Sequence, residues 1–207
     1  MIFFDFDGTL VDVWERYYHV FVTAGGFTSV GYDTYVQLKK NFIKDDLVAE
    51  QLHFTLASTY YAEKKKLLER PDFLKLDTPL IDVDTLLDFF IRFPCRILTI
   101  RRSPNAFFEQ LKNLGLSAIS EKSIVLQPEL GVSKYEYLAV NYGAEENIII
   151  GDAVSEYETS QLKNMKVILV RTGLRRPEDF TVRRNVYTVE HVAQFISQYK
   201  MKTGLFI

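Results

Sequence analysis

The stretch Met1-Ile2-Phe3-Phe4-Asp5-Phe6-Asp7-Gly8-Thr9-Leu10-Val11 opens the chain, and its reading decides the fold. An apolar run ends in two carboxylates spaced two apart, followed at once by glycine. On an extended strand, residues i and i+2 project to one side, so Asp5 and Asp7 approach one point in space. Gly8 lets the backbone turn tightly beside them. Carboxylates held that close repel, and the repulsion is relieved by protonating one of them or by binding a cation. Burying such a pair brings no obvious benefit to folding, so it points to chemistry.

Similar apolar runs recur further along: Arg96–Ile100, Ser123–Leu126, Asn147–Ile150, Lys166–Val170 and, more weakly, Asn185–Val189. Short runs rich in Ile and Val read as strands buried on both faces. Helical patterns separate them. Ser103-Pro104 supplies an N-cap with proline at the first helical position, opening a helix to Leu114 that Gly115 stops. Ser133 caps a helix over Lys134–Tyr142, Ser155–Lys163 is a third, and Glu190–Met201 is the last, with Val192, Phe195, Ile196 and Tyr199 at helical spacing. Alternating strands and helices predict an α/β fold around a parallel sheet.

Residues 12 to 93 break the alternation. Trp14, Tyr17, Tyr18 and Phe21 form one amphipathic helix that Gly25-Gly26 stops, and these aromatics read as the segment's own core. Tyr32–Phe42 and a long Asp46–Arg70 follow as helices, and Asp82–Phe93 leads back to the sheet. The expected organisation is a core domain, 1–11 and 94–207, interrupted by an all-helical segment, 12–93. The loop Gly25-Gly26-Phe27-Thr28 is the expected substrate-facing element of that segment.

Open parallel sheets place functional groups just beyond the carboxyl ends of their strands. There the sequence puts Asp5 and Asp7, then Thr99, Arg101 and Arg102, then Gly151-Asp152 with Glu156 four residues on; Lys134 opens a helix. Together these positions resemble the four motifs of the haloacid dehalogenase-like (HAD) phosphohydrolases, in order: Asp5-Phe6-Asp7-Gly8-Thr9-Leu10, then Thr99, then Lys134, then Gly151-Asp152-Ala153-Val154-Ser155-Glu156. The resemblance spans residues 2 to about 175. Two departures stand out: Ile100-Arg101 follows Thr99 where the family often has Asn or Ser, and Lys134 runs directly into a helix.

The resemblance implies a Rossmann-like core with helices on both faces and an inserted helical cap. It implies a magnesium-dependent phosphatase acting on a small soluble phosphorylated metabolite through an aspartyl-phosphate. In that scheme Asp5 is the nucleophile and Asp7 the general acid/base. Mg2+ is held by Asp5, Asp152 and the Asp7 carbonyl, with Glu156 either binding a metal-held water or bracing the ligands from behind, while Thr99 and Lys134 hold the phosphoryl oxygens. Arg101 and Arg102 are either a second anion-binding pair at the pocket rim or solvated loop arginines. A phosphomutase would use the same residues. A non-catalytic phosphate-binding protein would be expected to lose one of these carboxylates, and a dehalogenase does not need Asp7.

Bulk properties bound the rest. The chain has 207 residues, 47% hydrophobic and 25% charged, ordinary for a globular protein with a proper core. A net charge of −2 gives no electrostatic footprint for nucleic acid. The lone Cys95 excludes an intrachain disulfide and reads as core. No apolar run approaches membrane-spanning length, and no signal-like segment opens the chain, so the expected location is the cytoplasm with no membrane partner. Nothing in the chain sets an oligomeric state.

Overall fold

A computed structural model describes residues 1–41 and 44–202. The chain divides into two units, Met1–Asp12 with Pro79–Ile207, and Val13–Thr78. The first unit is built on six parallel strands: β1 (Ile2–Phe4), β2 (Cys95–Ile100), β3 (Ser123–Leu126), β4 (Asn147–Gly151), β5 (Met165–Val170) and β6 (Val186–Val189). Their spatial order is β3-β2-β1-β4-β5-β6. The order reverses at β1, which pairs Phe4 with Ile97 of β2 on one side and with Ile150 of β4 on the other. That reversal is the switch point at which doubly wound sheets bind ligands.

The inner strands β1, β2, β4 and β5 are largely buried, as their continuous apolar character predicts, while the edge strands β3 and β6 are partly exposed. Phe3 packs on one face with Leu98, Leu138, Ile149 and Val167. Phe4 faces the opposite side, where its ring lies 5.3 Å from Phe90, 6.0 Å from Phe89 and 6.1 Å from Phe195. This packing assigns the helix Val83–Arg92 to the sheet unit, although the sequence reading put it in the inserted segment. Asp82 caps that helix by accepting from the Thr85 N–H at 2.9 Å.

The expected strands and helices of this unit all form, with two changes. The third helix is a short Val154–Glu158 followed by a 3-10 turn at Thr159–Gln161. The last helix begins at Val192 rather than Glu190. No helix among the described residues is long and apolar enough to cross a membrane.

The second unit is helical. Trp14–Gly25 buries Trp14, Val20 and Phe21, and Gly26 ends it in the left-handed region at φ 67°. Phe21 gathers Phe27, Tyr35 and Tyr60 at ring distances of 5.1, 5.0 and 6.2 Å. The helix Tyr32–Asn41 follows, and Phe42 of its expected span lies outside the described residues.

The expected long helix over Asp46–Arg70 does not form. Instead Asp45–Gln51 and Tyr60–Leu67 are separate helices. Between them His53 adopts φ 60°, and the Phe54 N–H returns to the Ala49 carbonyl at 2.8 Å. The reason is tertiary: the break turns Phe54 onto Phe27, stacked at 4.4 Å. Phe27 is accordingly buried within this unit, so the expected substrate-facing loop contributes a core residue.

A buried ionic cluster closes the unit. Asp45 accepts from Lys39 at 2.5 Å, from the Tyr60 hydroxyl at 2.7 Å, and from Lys64. Arg16, unremarked in sequence, is buried and pairs with Asp77 at 3.0 Å while donating to the Leu68 carbonyl.

Candidate active site

β1 ends at Phe4, and the Asp5 N–H still donates to the Ile150 carbonyl of β4 at 2.8 Å. The ladder therefore carries Asp5 to the switch point itself. Beyond it the chain folds back on the Phe6 carbonyl, which accepts from the N–H groups of Thr9, Leu10 and Val11. Gly8 occupies φ 72°, and a Cβ there would lie 2.8 Å from the Gly173 Cα, so both conformation and space require glycine.

Four elements converge on this turn. Asp152 follows β4, and Glu156 stands in the first turn of Val154–Glu158, both buried. One carboxylate oxygen each from Asp5, Asp152 and Glu156 falls within 4.8 Å of the others. Lys134, the first residue of the helix Lys134–Tyr142, is buried and reaches both Asp5 and Glu156 at 2.6 Å. A capping box sets that helix start: the Glu136 N–H donates to Ser133 Oγ at 3.1 Å, and the Ser133 N–H donates to Glu136 at 2.8 Å. Thr99 is buried at the penultimate position of β2, two residues beyond the Ile97 partner of Phe4.

Glu156 uses both of its oxygens on protein donors. Oε1 accepts from Lys134 and from the Ser155 hydroxyl at 2.8 Å, and Oε2 accepts from the Ala153 N–H at 2.9 Å. It therefore acts as a brace that ties Lys134 to the loop carrying Asp152. Asp152 in turn accepts the Leu174 N–H at 2.8 Å.

That contact exposes what the sequence reading missed. The loop after β5 closes over the site: the Thr172 hydroxyl donates to the Gly8 carbonyl at 2.6 Å, and a Cβ on Gly173 would stand 1.9 Å from Asp152 Oδ2. The available signal was Thr172-Gly173, one residue past a buried strand, at the carboxyl end where the other functional groups lie.

The two arginines part ways. Arg101 is buried, pairs with Asp7 Oδ1 and donates to Gln110 at 3.1 Å. Arg102 is exposed and lies 3.4 Å from Glu129. Cys95 is buried at the far end of β2, where burial pushes its thiol up to about 12, away from thiolate chemistry.

The electrostatics of the cluster call for a cation. Among the described ion pairs, Lys134 meets Asp5 and Glu156 and Arg101 meets Asp7, so four buried or half-buried carboxylates gather around two cations. Burial raises Asp5 from 3.8 to about 7, Lys134 opposing and Glu156 adding to the rise. Burial likewise holds Asp152 well above the usual carboxylate range, reinforced by Asp5 and Glu156. Burial works against the Lys134 ammonium, but the charges of Asp5 and Glu156 outweigh it and keep its affinity for the proton raised. A divalent ion would replace those protons and balance the charge. A small all-oxygen donor set with few carboxylates is what magnesium favours, so the residues present fit that ion.

No family model matches this sequence, and no curated protein matches it. Solved structures do. A haloacid dehalogenase-like family hydrolase from Streptococcus pneumoniae aligns over 96% of this chain and 97% of its own at 19% identity and a TM-score of 0.66. A HAD family hydrolase from Deinococcus radiodurans, solved with bound phosphate and sodium, aligns over 99% and 96% at 16% identity and a TM-score of 0.67. A predicted phosphoglycolate phosphatase from Haemophilus somnus aligns over 96% and 97% at 12% identity and a TM-score of 0.64. The chain thus shares the fold of these proteins over nearly all of its length.

Proposed function

We propose that this chain, which has the haloacid dehalogenase-like fold, is a magnesium-dependent phosphatase of a small phosphorylated metabolite. One observation carries the reading: Asp5, Asp152 and Glu156 meet within 4.8 Å at the switch point of the sheet, with a buried lysine between two of them. Structural ion pairs seldom justify that much buried charge, because desolvation offsets most of the attraction. The phosphate bound to a hydrolase of the same fold supports the substrate class.

Asp5, Asp152 and the Asp7 carbonyl would hold Mg2+, which supplies charge neutralisation between a carboxylate nucleophile and a phosphate dianion. Asp5 attacks phosphorus, an acyl-phosphate bond forms between the Asp5 carboxylate oxygen and phosphorus, and the bond to the substrate oxygen breaks. Asp7 gives its proton to that departing oxygen, then takes a proton from the water that cleaves the aspartyl-phosphate and releases phosphate. Thr99 and Lys134 hold the equatorial oxygens through both steps. To accept the phosphoryl group, Lys134 exchanges part of its bond to Asp5 for a phosphate oxygen while Glu156 keeps it in place.

The test is phosphate release from a panel of phosphomonoesters, with and without magnesium. Magnesium-dependent turnover that Asp5→Asn abolishes is the expected result. Equal turnover in wild type and Asp5→Asn would remove the nucleophile from the mechanism, and analysis of the products separates hydrolysis from transfer to a sugar hydroxyl.

A further inference from the structure

Arg101 is costly to bury and touches no other part of the proposed phosphoryl-transfer machinery than Asp7 among its described contacts. Its side chain is 3% exposed and stands directly beyond the end of β2. Its backbone N–H donates to the Leu126 carbonyl at 2.9 Å, which anchors its start to β3. The guanidinium lies over the Phe6 ring at 5.7 Å and the Phe107 ring at 5.9 Å. Those rings meet edge to face at 5.1 Å, so they form a corner that holds the guanidinium.

One terminal nitrogen of Arg101 then binds two acceptors, Asp7 Oδ1 and the side-chain oxygen of buried Gln110. Gln110 is fixed by the helix Pro104–Asn113, whose start is set by Ser103 capping the Ala106 N–H at 3.2 Å. An arginine enclosed this way is pre-organised, and its planar fork loses little further freedom on pairing.

We infer that Arg101, held by Phe6, Phe107 and Gln110, is the residue that positions Asp7 for proton transfer, rather than a contact for the substrate. The inference rests on the phosphatase reading above. With Oδ1 facing a permanent cation, the proton that passes to the leaving oxygen is carried on Oδ2. Arg101 thereby selects one carboxylate oxygen and one rotamer of Asp7.

The test compares wild type, Arg101→Met, Arg101→Lys, Gln110→Ala, Asp7→Asn and the Asp7→Asn/Arg101→Met double variant with magnesium, on an alkyl phosphate and on an aryl phosphate with an acidic phenol. Arg101→Met is expected to lower kcat on the alkyl ester roughly 10²-fold, the scale of a general acid, with KM changed less than about threefold. The loss on the aryl ester is smaller, since an acidic phenol leaves without a proton. Arg101→Lys recovers part of the rate, and Gln110→Ala shows a weaker loss with the same dependence on leaving group. The double variant is no slower than Asp7→Asn alone, because one residue acts through the other.

A rise in KM at unchanged kcat would assign Arg101 to substrate binding and overturn the inference. Additive losses in the double variant, or equal losses on both esters, would overturn it as well. If Arg101→Met does not fold, Gln110→Ala and Arg101→Lys decide by the same leaving-group comparison. A wild-type protein inactive on every ester overturns the phosphatase reading itself, and is told apart from these outcomes because no variant is then needed to see it.

Discussion

At the scale of single residues, the site depends on side chains that are missing as much as on those present. Gly8 and Gly173 bring two loops to within a Cβ of one another beside Asp152, and the Thr172 hydroxyl ties them at the Gly8 carbonyl. Gly173→Ala would drive a methyl group to 1.9 Å from Asp152 Oδ2, so the carboxylate must move. Misplacement on the ångström scale costs roughly 10²-fold in rate. The variant is expected to keep its circular dichroism spectrum yet lose about that much magnesium-dependent turnover; full activity would show that Asp152 does not need its present position. Asp5, Asp7 and Asp152 were legible in the chain because each carries a functional group at a strand end. Gly173 was not, because a glycine after a strand announces a turn and says nothing about whose carboxylate lies against it.

At the scale of elements, helix starts do the positioning. Lys134 opens its helix and Glu156 sits in the first turn of another, so each acid or base is delivered by the place where a helix begins. Ser133 was readable as a cap, and the capping box it forms holds the backbone that aims Lys134. Ser133→Ala is expected to cost about 1 kcal/mol of stability, measured by urea unfolding, with Ser133→Asp restoring most of it. An unchanged urea midpoint in Ser133→Ala would mean that packing alone sets this helix start. The helical unit was less legible. A continuous pattern of helix formers from Asp46 to Arg70 gave no sign that the chain breaks at His53, because Phe27, lying far away in sequence, draws Phe54 out of line.

At the scale of the whole molecule, stability depends on pH, and magnesium binding at the proposed site would share that dependence. The Asp5 carboxyl is raised in the folded chain to about 7 from its ordinary 3.8. Between those values the folded state keeps a proton that the unfolded state has lost, so stability of the metal-free protein falls as pH rises from about 4 to 7. The raised Asp152 acts in the same direction. Magnesium needs these ligands deprotonated, so the rise in Tm it produces should be larger near pH 8 than near pH 5.5, and Asp152→Asn should shrink it. A magnesium-induced shift independent of pH between those values would separate the ion from this cluster. The existence of the six strands, the burial of the inner ones and the carboxylates at their ends follow from local pattern: hydrophobic period, glycine turns and helix caps act over a few residues and are written in consecutive ones. Tertiary structure alone decided that Val83–Arg92 belongs to the sheet, that the loop after β5 closes on Asp152, and that Arg101 turns inward to Asp7 while Arg102 stays outside. Those outcomes depend on contacts between residues tens of positions apart, where burial, close approach and charge pairing are settled only once the chain is packed.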